Sequence, residues 1–209
     1  MCDSNEFDRW AESYDDDVIQ SDQAASFPFV GYAQVLDRIA KLILEREPGD
    51  LLDIGTGSGN LAARIYEGGW NVTAVDFSEE MLKLSRHRMP QATFIVSDFS
   101  SGIPRELVEK SFDIIIMTYA FHHLAYKKQP AFLRSLVPHL RANGKILIGD
   151  IAFETQSELD ACHRRFPADW DDEEYYPILT EIQAQLPEFQ VTFEVISFCA
   201  GIFQVFKSG

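Results

Sequence analysis

The sequence predicts an α/β protein built on a doubly wound, mostly parallel sheet, and three observations point there. Short apolar runs recur along the chain, at Leu51–Ile54, Val72–Val75, Thr93–Val96, Phe112–Met117 and Lys145–Ile151, and read as buried strands. Segments with apolar residues at helical spacing lie between them, so the pattern alternates β and α with short links, the signature of a parallel sheet covered on both faces. The first of these strands breaks into Gly55, Gly57 and Gly59 before a helix resumes at Leu61, Ala62, Ala63 and Ile65.

Taken in order, residues 1–22 are acidic, with Arg9 the single base, and Phe7, Trp10, Ala11 and Tyr14 recur at helical spacing. A short amphipathic helix is expected from about Glu6 to Tyr14, and residues 1–28 read as a helical arm or lid on a single domain spanning 1–209. Phe27-Pro28-Phe29 marks a bend. Tyr32, Val35, Leu36, Ile39, Leu42 and Ile43 then define a helix that stops at Pro48-Gly49. After the glycine loop, the next helix ends at Gly68-Gly69. The strand Val72–Val75 runs into Asp76, and Ser78 caps a helix that reaches about Arg88, with Glu80 and Met81 in its first turn. Thr93–Val96 ends at Ser97-Asp98-Phe99. The near-continuous apolar run Phe112–Met117 is a central strand, followed by Tyr119-Ala-Phe-His-His-Leu124 and a helix from about Lys128 to Leu140. Asn143-Gly144 is expected to turn the chain into Lys145–Ile151. Residues 152–177 are mixed and polar, with acids dominating Asp169–Glu174, and read as an insertion over the site. A helix opens at Pro177 and runs to about Leu186. Val191–Phe198 and Ile202–Phe206 complete the chain as a hairpin turned at Cys199-Ala-Gly201, which adds one antiparallel strand.

The glycine loop carries the functional reading. Glycine lets a backbone approach a ligand closely, and a loop entering a helix aims N–H groups at it. About twenty residues on, Asp76 ends the second strand, where an acid can accept from both hydroxyls of a ribose. The spacing here is G-x-G-x-G with Asp53 before it, not G-x-G-x-x-G. An acid beside the loop is awkward for a pyrophosphate and suits a ligand with an ammonium group, such as S-adenosylmethionine (SAM). On Asp53, Gly55, Gly57, Gly59 and Asn60, with Asp76 as the ribose acid, the chain resembles the class I, Rossmann-like SAM-dependent methyltransferases. The resemblance covers roughly residues 30–209. Trp10-x-x-x-Tyr14-Asp15 and Tyr119–Leu124 look like the small bacterial YrrT-type group, relatives of the ubiquinone and menaquinone biosynthesis methyltransferases. The family implies a seven-stranded sheet in the order 3-2-1-4-5-7-6, its last strand antiparallel.

Ligands of open α/β sheets sit at the carboxyl ends of the strands, which gather the candidates into one crevice. Gly55, Thr56, Gly57, Gly59 and Asn60 are expected to pass under the cofactor. Asp53 orders the loop or meets the ammonium through water, and Asp76 takes the ribose. Phe77 and Phe99 flank the adenine, Asp98 accepts from its amine, and Met81, Tyr14 and Thr118 complete the cofactor set. His122 and His123 follow the central strand where the family places substrate-facing residues, and either could be a proton acceptor. Tyr32, Tyr119 and Asp150 are further polar groups expected to face the pocket.

Several classes are disfavoured. The net charge of −15 speaks against a nucleic-acid partner. No apolar run is long enough to cross a membrane, and Cys2, Cys162 and Cys199 form no metal-ligand spacing, so a cytoplasmic setting is expected, as monomer or homodimer. The fourth strand ends without Asn/Asp-Pro-Pro-Tyr, and no Pro-Cys nucleophile occurs. Tyr119 stands where a metal-using catechol methyltransferase would need an acid, so no metal is expected. The default acceptor is a small molecule. The competing readings are a SAM-binding regulatory or scaffold protein without catalysis, and a nicotinamide-dependent oxidoreductase, which the five-residue loop disfavours.

Overall fold

The computed structural model describes residues 26–207. The expected arm helix, its lid role and Tyr14 lie outside those residues. Helix α1 (Tyr32–Leu44) buries Val35, Leu36, Ile39, Ala40 and Ile43 along one stripe, and Arg38 Nε reaches both carboxylate oxygens of Glu194 at 2.9 and 3.0 Å. Strand β1 (Asp50–Ile54) leads through the glycine loop into α2 (Asn60–Glu67). Strand β2 (Asn71–Asp76) precedes α3 (Glu79–Arg88), whose N-cap Ser78 accepts from the Met81 N–H. Then come β3 (Thr93–Val96), β4 (Phe112–Thr118), α4 (Gln129–Leu136), β5 (Leu140–Ile151), α5 (Gln156–Arg165), α6 (Leu179–Gln185), β6 (Phe189–Val195) and β7 (Ala200–Lys207).

The seven strands form one sheet in the order β3-β2-β1-β4-β5-β7-β6. Strands β1 to β5 pair in parallel, and β7 is antiparallel to both β5 and β6. The core divides between the two faces: α1 and α2 pack with Leu51, Val72 and Ile114 on one, while α4 and α6 pack with Leu52, Ile115 and Phe203 on the other. The central strands are buried on both sides, which is why they read as unbroken apolar runs. No helix among the described residues is long and apolar enough to cross a membrane.

Three expectations are corrected, and one polar segment gains a helix. Helix α4 stops at Leu136 and tightens into a 3-10 turn, Val137–His139, because Pro138 has no N–H to give to the preceding turn. Asn143-Gly144 does not start a strand. It sits in a bulge within β5, where the pairing jumps from Phe112↔Leu140 to Ile114↔Lys145. The hairpin turns at residues 196–199, and Gly201 lies inside β7, opposite Val195. The insertion at 152–177 contains α5, which begins with a capping box between Thr155 and Glu158.

One close approach positions α1 over the sheet. A Cβ on Gly149 would run into Val35 Cγ1 and lie 2.8 Å from Ile39 Cδ1. Both are stiff branched side chains that cannot swing aside. The Gly149→Ala variant is therefore expected to lose about 1–3 kcal/mol to overpacking, read as a lower urea midpoint at unchanged slope.

Candidate active site

The glycine loop is held by side chains beneath and beside it. Gly55 and Thr56 donate their N–H groups to the Val75 carbonyl at 2.8 and 3.1 Å, hanging the loop from β2. The Asp76 carboxylate takes the Gly57 N–H on Oδ2 at 2.8 Å and the Ser78 N–H on Oδ1 at 2.9 Å. Ser85 of α3 donates to the Gly57 carbonyl at 3.2 Å. Below the loop, Thr56 Oγ1 donates to Asp53 Oδ2 at 2.7 Å. Asp53 is 1% exposed, and its Oδ1 has no hydrogen-bond partner among the described residues.

The three glycines do different work. Gly57 has φ 54°, and a Cβ there would meet nothing within 4 Å, so this position opens on space. Gly59 has φ 81°, and a Cβ there would strike Ser85 Oγ and come within 3.2 Å of Met89 Cε. Gly59 thus lets α3 pack against the loop and does not line the cleft. Gly55 backs onto Ala120, whose Cβ would be 2.5 Å from an added methyl.

Between the loop and the ends of β2 and β4 lies a cleft open to solvent. Gly55, Thr56, Gly57, Asn60, Asp76, Phe77, Met81, Phe99, Thr118 and His123 line it, as expected from the sequence. Tyr32 and Tyr119 form a wall with rings 4.7 Å apart. Phe29, which sequence reasoning did not single out, stands 5.8 Å from Tyr119. Tyr119 reaches this wall from a backbone with φ 50°, uncommon for a bulky residue and a feature of functional sites. Among the described residues, no Lys or Arg lines the cleft.

Besides Gly59, three expected residues stand elsewhere. Asp98 is exposed and outside the lining, accepting from the Ser100 N–H at 2.8 Å and the Ser100 hydroxyl at 2.9 Å. Asp150 is fully buried under the turn after β4, where Oδ2 accepts the N–H groups of Phe121 and His122 at 2.9 and 3.1 Å. His122 is also buried: Nδ1 lies 2.5 Å from Asp150 Oδ1, and Nε2 lies 3.4 Å from Glu174 Oε1. Burial alone would lower its pKa, but the charge and hydrogen bond of Asp150, helped by Glu174, outweigh it and raise the pKa to about 10. The same pair works in reverse on Glu174, whose burial is outweighed by His122, so its pKa falls to about 2. His123 borders the cleft with an exposed edge, and partial burial together with the neighbouring His122, 4.1 Å away ring to ring, holds it below the ordinary imidazole range. Glu174 was legible in the sequence only as one acid in an acidic run.

Asp53 carries the clearest pH signature. Burial pushes its carboxyl up from 3.8 to about 7, against the Thr56 hydrogen bond and with the charge of Asp76. The folded chain keeps a proton there that the unfolded chain has released, so this group opposes folding increasingly as pH rises from about 4 to 7. Asp53→Asn keeps an acceptor for Thr56 and removes the titration. Relative to the parent, its stability is expected to rise across that window and level off above it, by about 1.4 kcal/mol per unit of displaced pKa, in urea titrations at a series of pH values.

Comparison with known proteins follows the same lines. Residues 51–144 match a family described as Methyltransferase domain. An uncharacterized methyltransferase of Alkaliphilus oremlandii (strain OhILAs) is 31% identical over 190 residues, covering 90% of this chain and 84% of that protein. Another, from Oceanobacillus iheyensis, is 29% identical over 197 residues, covering 90% and 89%. Among solved structures, magnesium protoporphyrin IX methyltransferase from Synechocystis PCC 6803 with bound S-adenosylhomocysteine (SAH) has a TM-score of 0.72 at 17% identity, over 99% of this chain and 100% of that one. The DhpI–SAH complex gives 0.71 at 17% identity, over 98% and 95%.

Proposed function

The chain belongs to the class I SAM-dependent methyltransferases, and on that premise we propose that it transfers the methyl group to a small-molecule acceptor held against Tyr32, Tyr119, Thr118 and His123. The observation that carries this reading is the cleft itself, one space that has the glycine loop at one end and the tyrosine wall at the other. The net charge of −15 supports it further by disfavouring a polyanionic acceptor.

The donor set fits SAM. Among the described residues its lining has one acid, Asp76, and no Lys or Arg, which suits a ligand with positive groups and a ribose but no phosphate. Asp76 accepts the ribose hydroxyls while its carboxylate continues to anchor Gly57, since a carboxylate has about four lone-pair sites for donors. Phe77, Met81 and Phe99 hold the adenine. Asp53 orders the loop from beneath through Thr56 and keeps one oxygen unpartnered among the described residues.

When bound, SAM supplies a methyl group on a positively charged sulfur. The chain contributes alignment and exclusion of water. Tyr32 and Tyr119 present flat apolar faces that fix the acceptor's direction of approach. Of the two histidines expected as proton acceptors, His123 alone borders the cleft, while His122 is engaged by two carboxylates.

A metabolite-library screen with labelled SAM tests the proposal. Label appearing only on protein or nucleic acid of a cell extract would overturn the small-molecule acceptor. Asp76→Ala is expected to weaken SAM and SAH alike by roughly ten- to a hundredfold, the equivalent of about 1.5–3 kcal/mol for a hydrogen bond to a charged group, measured by calorimetry. Gly57→Val places a branched side chain in the cleft at φ 54°. It is expected to abolish cofactor binding at a stability loss of about 1–2 kcal/mol, read by calorimetry and urea titration together.

A further inference from the structure

We propose that His122, His123 and Glu174 form a site for one divalent first-row transition ion at the acceptor end of the cleft. One ligand atom from each residue comes within 4.8 Å of the others. The spacing favours an ion over a direct contact. His122 Nε2 and Glu174 Oε1 are 3.4 Å apart, long for a charge-assisted hydrogen bond, which settles near about 2.7–2.9 Å. Two ligand atoms each about 2.1 Å from a tetrahedral ion stand roughly 3.4 Å apart.

The surroundings are those of a built site. Asp150 holds His122 Nδ1 at 2.5 Å, the carboxylate–histidine arrangement that orients a metal-binding imidazole and presents its Nε2. Asp150 is itself locked by the N–H groups of Phe121 and His122. Glu174 arrives on a clamped segment, because the Tyr175 N–H donates to the His122 carbonyl at 2.8 Å and Gln129 Nε2 donates to the Tyr175 carbonyl at 2.7 Å. Both histidines sit on the rigid 3-10 turn Phe121–His123 directly after β4. Charge also balances: Asp150 and Glu174 bring two negative charges against two neutral imidazoles and a doubly positive ion. Binding exchanges the Nε2 proton of His122 for the ion and releases that proton to solvent.

Three protein ligands leave a coordination position open, and His123 places it beside the cleft. The ion would take an oxygen or sulfur of the acceptor there and favour its deprotonated form. That consequence rests on the small-molecule reading above, whereas binding of the ion does not.

The metal-free full-length chain, titrated with Zn²⁺ by calorimetry, is expected to bind one ion, and Co²⁺ is expected to give the visible absorption bands of a tetrahedral site. Glu174→Gln and His123→Ala should each weaken Zn²⁺ at least tenfold, and Asp150→Asn by about 10–100-fold. SAH affinity of Glu174→Gln should match the parent, which shows that the variant is folded. No Zn²⁺ binding, or parent-like affinity in both Glu174→Gln and His123→Ala, overturns the site and leaves His122 as an imidazolium between two carboxylates. If the acceptor screen fails while Zn²⁺ binding follows this variant pattern, the acceptor reading falls and the metal site stands.

Discussion

The site depends on the Asp76 carboxylate at the end of β2. It is 5% exposed and binds two backbone N–H groups at once, one from the glycine loop and one from the start of α3. A carboxylate so placed joins three elements that the sheet alone would leave to diverge. Without it, the Gly57 and Ser78 N–H groups would each lose the carboxylate acceptor at the end of β2. Because the same carboxylate stands where a ribose acid is expected, cofactor recognition and loop geometry share one group.

A second carboxylate, Asp150, does the corresponding work one strand beyond β4. It gathers the Phe121 and His122 N–H groups and the His122 ring, so the turn after β4 is built around a buried negative charge. The two acids sit on opposite sides of the central strands and organise opposite ends of the cleft. Each is a buried charge satisfied by directed hydrogen bonds, the condition under which such groups are tolerated. Between them, Leu51, Ile114 and Ile116 form an apolar platform around the buried Asp53.

Elements set by local signals were legible in the sequence. Thr93–Val96 and the Ser78 cap match the structure residue for residue, because apolar alternation and capping act over a few positions. The strand order was legible only through the family resemblance, since periodicity does not say which strands are neighbours. Helix α5 had a local signal, Thr155-Gln-Ser-Glu158 before Leu159, hidden in a polar stretch that read as an insertion. The end of α4 and the bulge at Asn143-Gly144 depended on how the chain re-enters the sheet. Glu174 was illegible: it meets His122 across 52 positions (174 − 122), and no neighbour in its acidic run distinguishes it. Asp150 was read as facing the pocket because it ends a strand on the right side, yet the backbone N–H groups of the next turn claim it first.

The left-handed backbone of Tyr119 has a consequence for how this chain can change over generations. Such a conformation suits glycine or asparagine, and a replacement by either would relieve backbone strain on the order of 1 kcal/mol. Selection for stability alone would therefore pull this position away from an aromatic residue. The phenol ring is also what stacks with Tyr32 and closes the far wall of the cleft. Heat-tolerant lineages and lineages under pressure to keep the reaction would diverge here first, a trade between robustness and activity written in a single dihedral angle.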